Sequence, residues 1–139
     1  MSDVPPGFAP VQSKGFGGFT GPVYRGHDAK GEVFIFDVAA QHLNGGDRLH
    51  GGMMMTLASI VLGEAAKSAA EKSEPGADAR ALSLNCDFVS AGERDERVEC
   101  RATITRATRS VLFIAGELCV GSRILMSATG VYAIKRAEA

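Results

Sequence analysis

Along the chain the spacing of apolar residues changes from a strand period to a helix period and back. Val23 to His27 and Glu32 to Val38 read as extended strands flanking Asp28-Ala29-Lys30-Gly31, which has hairpin-turn chemistry. A polar, Gly-rich loop from Gln41 to Leu49 follows. From Gly51 to about Lys72 there is no Pro, and Met, Leu, Ala and Ile dominate, which predicts a helix. Its first half, Met53 to Gly63, is apolar nearly all round and predicts burial on every side. Its second half, Lys67 to Lys72, is charged and predicts an end that emerges into solvent. Ser73-Glu74-Pro75-Gly76 supplies the stop.

The remainder, Ala79 to Arg136, reads as four strands. Leu82, Leu84, Cys86 and Phe88 alternate with Ser83, Asn85 and Asp87, and Val98 to Thr105 alternates in the same way. Val111 to Val120 and Ile124 to Ile134 are apolar on both faces in places. The links are short, which favours antiparallel neighbours. One long buried helix on one antiparallel sheet is an α+β arrangement.

The N-terminal residues are different. Residues 1 to 22 are rich in Pro and Gly, with Phe8, Phe16 and Phe19 interspersed. Met1 to Lys14 reads as a mobile or loosely docked arm, so residues 1–15 are expected to be a flexible extension and residues 16–139 a single domain. Gly15-Phe16-Gly17-Gly18-Phe19-Thr20-Gly21 lacks the preceding strand, the Lys and the following helix of a phosphate loop. Its phenylalanines are expected to pin an irregular segment onto the core.

Composition narrows the function classes. At 139 residues the chain is the size of one domain with a real core. Fifteen Lys and Arg against sixteen Asp and Glu give a formal charge of −1, too weak a field to argue for nucleic acid or an anionic membrane as partner. Cys86, Cys100 and Cys119 are odd in number and lack CxxC spacing, which argues for reduced thiols rather than a disulfide framework or a zinc ribbon. Met1 to Pro10 has no basic start and no apolar run, and the apolar stretch at Met53 to Leu62 is too short to span a bilayer. A cytoplasmic location is the expectation. His27 and His42 have no partner at metal-ligand spacing and read as surface or turn residues, so no metal is expected.

The chemistry concentrates at Asn44-Gly45-Gly46-Asp47-Arg48-Leu49-His50-Gly51-Gly52. The first turn of a helix carries unpaired N–H groups and partial positive charge. Gly51 and Gly52 place no side chain over those donors. His50 adds a side-chain donor, and Asn44 can donate or accept across the loop. Donors converging on a helix N-terminus suit a carbonyl that becomes an oxyanion. Tight packing of loop against helix would use the same two glycines.

The stretch from His42 to Ala66, HLNGGDRLHGGMMMTLASIVLGEAA, resembles the hotdog-fold thioesterases of the phenylacetic-acid-pathway type, a group similar to the 4-hydroxybenzoyl-CoA thioesterase superfamily. The pattern is an Asn, then His-Gly-Gly six residues on, opening a hydrophobic helix, and the likeness extends over roughly Phe16 to Lys135. The resemblance implies a curved antiparallel sheet wrapped around a central helix. It implies homodimers with sheets joined edge to edge, or homotetramers, with sites at the dimer interface and an acyl-CoA substrate. No cofactor is implied. Asn44 and His50 match the motif polar residues, the Gly51 N–H the group that polarises the thioester carbonyl, and Ser83 a strand Ser that in some members helps hold water. Gly52 and Met53 would meet the substrate. Arg109, in the Thr108-Arg109-Ser110 turn, is the best match for a basic residue that meets coenzyme A phosphates, ahead of Arg106 and Arg123.

Two positions depart from the family pattern. The Asp or Glu expected seven residues after the second Gly is Ser59, and a hydroxyl needs a base of its own to replace a carboxylate. Asp47 stands where the family often has Gly. Glu64 lies five residues beyond Ser59, roughly 140° around the helix, and is expected to pair with Lys67. Three functions follow: a thioester hydrolase in which Ser59 holds a water that His50 or Asp47 activates, a non-catalytic module that binds acyl-CoA or an acyl carrier, and, third, a hotdog dehydratase, which needs an acid that is not evident here.

Overall fold

A computed structural model describes residues 3–11 and 13–137 of the chain. Seven strands and one long helix make up the frame: β1 (Ala9–Pro10), β2 (Tyr24–Asp28), β3 (Gly31–Asp37), α2 (Gly51–Ser73), β4 (Asp78–Phe88), β5 (Arg97–Ala107), β6 (Val111–Val120) and β7 (Arg123–Lys135). A short helix, α1 (Phe16–Thr20), precedes β2, and a 3-10 turn, Ala40–His42, precedes the Gly-rich loop. All strand pairs are antiparallel, in the order β1-β2-β3-β5-β6-β7-β4. The sheet and single central helix are those the hotdog resemblance implies, and each strand expected from the alternation is present.

The hairpin at Asp28 forms for a local reason. Gly31 has φ +116°, open to Gly without strain, and the Lys30 N–H donates to Asp28 Oδ1 at 2.9 Å. β3 and β4 are not neighbours. Between them α2 carries the chain across one face of the sheet, so that β4 pairs with the last strand and forms an edge.

α2 packs through Leu57, Ala58, Val61, Leu62 and Ala66, none of them exposed. Leu62 sets the closest approach. A Cβ on Gly116 would lie 2.8 Å from Leu62 Cδ1, and one on Gly130 3.4 Å from Leu62 Cδ2. The two glycines leave the sheet thin where the helix presses on it.

The helix is not buried on every side. Met55 is 41% exposed, Ser59 is exposed, and Gly52, Thr56 and Gly63 line the same outer face. A single sheet covers about half of a helix circumference, so the apolar outer face has to be covered by something else. The charged end behaves as expected, and the chain turns at Gly76, whose N–H donates to the Glu71 carboxylate.

The described part of the arm is docked. Ala9 and Pro10 pair with β2, the Val11 N–H donates to Val23 O at 2.7 Å, and the Phe8 ring fills the space over Gly26. The phenylalanines of α1 do not pin it to the core. Phe16 is 65% and Phe19 85% exposed, and α1 has no buried residue. Among the described residues no helix is long and apolar enough to cross a membrane. The three cysteines are free, Cys100 fully buried and the other two partly.

Candidate active site

His50 is the N-cap of α2. Its Nδ1 accepts from the Gly52 N–H at 2.8 Å, so the neutral ring carries its proton on Nε2. A Cβ at position 52 would fall 2.9 Å from that Nδ1, so the ring needs the glycine. Gly51 makes room for a different neighbour. A Cβ there would lie 3.1 Å from Cε1 of Phe88, the last residue of β4. The two glycines thus make room for side chains of this chain. The Gly51 N–H has no acceptor among the described residues and stays available at the positive end of the helix.

Asn44 shapes the loop. Its Oδ1 accepts from the Gly46 N–H at 2.9 Å and the Arg48 N–H at 3.1 Å, which leaves the Nδ2 protons as donors. Asp47 has φ +61°, a conformation Gly adopts freely and Asp tolerates. Its side chain is exposed and makes no hydrogen bond to His50 among those described. Leu49 anchors the far side of the loop: it is buried and its N–H donates to Gly92 O at 2.8 Å.

His42 lies in the Ala40–His42 turn, one of its two expected places, but it is not at the surface. It is 5% exposed, with its ring against Phe36 at a centroid distance of 4.5 Å. Nδ1 accepts from the Ala39 N–H at 3.0 Å and Nε2 donates to Thr20 O at 2.9 Å. Its own carbonyl accepts from the His50 N–H at 2.9 Å. Both ring nitrogens are occupied, so His42 ties α1 to the segment that carries His50. Nothing in the local sequence signals this, because the partners lie on three different segments.

His50, Gly52 and Met53 line a largely apolar cavity of about 670 Å³ with His42, Leu43, Thr56, Phe16 and Phe19. No carboxylate lines it among the described residues. Ser59 is on the same helix face as Gly52 but two turns on, about 10 Å away. It lines a second cavity of about 550 Å³ with Phe16, Thr56, Ile60, Gly63, Glu64 and Lys67. Glu64 therefore reaches the cavity of Ser59 despite its angle on the helical wheel. Its ion-pair partner is Arg25 Nη1 at 3.7 Å rather than Lys67. Arg25 also binds Glu32 and the Ser68 hydroxyl, each at 2.8 Å, which fixes the pair in place.

Two expected site residues lie elsewhere in the chain. Ser83 pairs with Val131 and shares its face with Asn85 and Asp87, which line a cavity on the side of the sheet away from α2. A register shift between Ala81 and Ser83 sets this facing. Arg109 is in the β5–β6 turn, where its carbonyl accepts from Arg136, which also binds Glu74 at the C-terminal end of α2. A helix of 23 residues is about 34 Å long, so Arg109 and His50 sit at opposite ends of it. Arg123 is engaged by Glu96. Among the described residues no group of three or more His, Cys, Asp or Glu is placed to hold a metal ion.

Comparison with known proteins places the family and the fold. The family model of the Thioesterase superfamily matches residues 46–127. A Pseudomonas aeruginosa protein provisionally assigned as an esterase is 28% identical over 134 residues, covering 95% of this chain and 98% of its own. A hypothetical thioesterase of Streptococcus pneumoniae, solved with coenzyme A, superposes with a TM-score of 0.67 at 20% identity, covering 76% of this chain and 83% of its own. The Escherichia coli PaaI protein of the phenylacetic acid degradation operon superposes with a TM-score of 0.66 at 22% identity, covering 77% and 72%. At these identities the two structures share the fold with this chain.

Proposed function

The chain belongs to the thioesterase superfamily, and on that premise we propose that it hydrolyses an acyl-CoA thioester to the free acid and coenzyme A. One observation carries the reading. His50 caps α2 through Nδ1, which directs Nε2–H outward, and the Gly51 N–H stays without an acceptor between His50 and Gly52, the two residues that line an apolar cavity. A thioester carbonyl placed there gains a hydrogen bond and the helix dipole as its oxygen becomes negative. Water adds to the carbonyl carbon and releases a proton, the tetrahedral oxyanion collapses with cleavage of the C–S bond, and the departing thiolate takes up that proton. His50 Nε2–H and the Asn44 amide hold the carbonyl or the water. The related Streptococcus pneumoniae protein was solved with coenzyme A, which supports the choice of thiol.

The water-holding side of the site is assigned to a second copy. Ser59 cannot reach the Gly51 N–H within one chain, and β4 leaves one edge of the sheet free, with Leu82 59% and Phe88 55% exposed on it and Val89 59% exposed just beyond it. Pairing two β4 edges satisfies their free N–H and C=O groups and covers these side chains. It joins the chains as a homodimer, in which Ser59 is supplied by the partner subunit.

A second reading rests on the absence of a carboxylate from the described lining of the His50 cavity. In it the protein binds acyl-CoA or an acyl carrier without cleaving it. A thiol-release assay over short-chain, medium-chain and aromatic acyl-CoAs separates the two, with wild type, His50→Ala and Ser59→Asp side by side. Turnover by wild type that falls with His50→Ala supports hydrolysis. Turnover by Ser59→Asp alone supports the binder.

A further inference from the structure

The cavity of His50 and the cavity of Ser59 share two lining residues, Phe16 and Thr56. Thr56 belongs to α2 and is held there, since its Oγ1 donates to Gly52 O at 2.9 Å. Phe16 arrives from outside, at the start of α1. It stands between a mainly apolar space of about 670 Å³ and a more polar one of about 550 Å³ that runs along α2 to Glu64 and Lys67. Phe19 lines only the first space.

A ring that is 65% exposed contributes little to the core, so its position calls for another account. The position is built. Thr20 Oγ1 donates to Phe16 O at 3.0 Å, and Thr20 O accepts from buried His42 at 2.9 Å. Gly17 faces the Ser13 side chain, which a Cβ at this position would meet first, with Ile60 Cδ1 of α2 farther off at 3.8 Å. The aromatic wall is thereby fastened to the same segment that carries His50.

We propose that Phe16 is a specificity-determining residue: it closes the far end of the His50 cavity and limits the length of the acyl chain that the site accepts. This rests on the acyl-CoA reading above. A chain entering beside Met53 fills the first cavity and meets the Phe16 ring. Without the ring, the first cavity opens along Thr56 and Ile60 into the second.

The test uses non-hydrolysable S-alkyl-CoA thioethers, butyl through hexadecyl, titrated by calorimetry into the full-length protein. Affinity is expected to rise by about fourfold per methylene accommodated. In wild type the rise stops at the chain length that reaches Phe16. In Phe16→Ala it continues over longer chains. Circular dichroism verifies the fold of the variant. An identical stopping point in wild type and Phe16→Ala, with clear binding in both, overturns this inference and leaves the acyl-CoA reading standing. No binding of any thioether to wild type overturns both.

Discussion

The imidazole of His50 occupies the space that a side chain at position 52 would need, and its Nδ1 takes the Gly52 N–H at 2.8 Å. Ring and glycine are therefore one device. The glycine admits the ring, the ring closes one of the open N–H groups of α2, and the closure fixes which nitrogen carries the proton. The neighbouring Gly51 N–H is left over by the same arrangement. Cap and proposed donor are two ends of one ring, so they can be separated by substitution.

His50→Asn keeps a side-chain oxygen that can accept from the Gly52 N–H but removes Nε2–H. His50→Ala removes both. Loss of the cap is expected to cost about 1 kcal/mol. Urea unfolding should place His50→Asn near wild type and His50→Ala below it, while turnover falls in both. Wild-type turnover in His50→Asn would assign the histidine to capping alone.

His42→Ala leaves the Ala39 N–H and Thr20 O without their partner in a partly buried place. Each lost partner costs about 1–3 kcal/mol. The variant should be destabilised by at least about 2 kcal/mol in urea, with hydrogen exchange at Phe16–Thr20 accelerated beyond the global change. Exchange rates for α1 that merely follow global stability would mean that another contact holds it.

Acid should weaken the fold through two carboxylates. Asp28 accepts from both terminal nitrogens of Arg101 and from the Lys30 N–H, which holds its carboxyl below the ordinary range. Partial burial pushes Glu96 up, but hydrogen bonds from Arg123 at 2.6 and 2.7 Å and from the Glu93 N–H outweigh it and leave the group lowered. Both folded values lie below the unfolded ones, near 4. The unfolded chain then binds more protons around that pH. The contribution is present above the unfolded values and is lost as pH falls through the folded ones. Urea midpoints between neutral pH and about pH 3 should fall less steeply in Asp28→Asn and Glu96→Gln than in wild type. Equal slopes would remove these groups as the cause.

The sequence carried the frame of this protein because the frame is written in local periods. Alternation at Leu84 to Phe88 and at Val98 to Thr105 places strands, and the apolar run from Gly51 with its Pro-Gly stop places the helix. The Asn44 to Gly52 motif was legible for the same reason, since loop, cap and helix start are contiguous. What the sequence left open depends on segments far apart in the chain. Apolar residues all round α2 predicted full burial, but only the sheet reveals that Met55 and Ser59 face outward. Helical geometry separated Glu64 from Ser59, and the reach of its side chain, held by Arg25 of β2, returned it to the same cavity. Alternation set Ser83 opposite Leu84 and Cys86, but only the packing of α2 on the Leu84 face shows that the Ser83 face looks away from the helix, and the length of α2 put Arg109 at the other end of the helix from His50. Local period sets which face of an element is apolar. Only the packing of one element on another decides what that face meets.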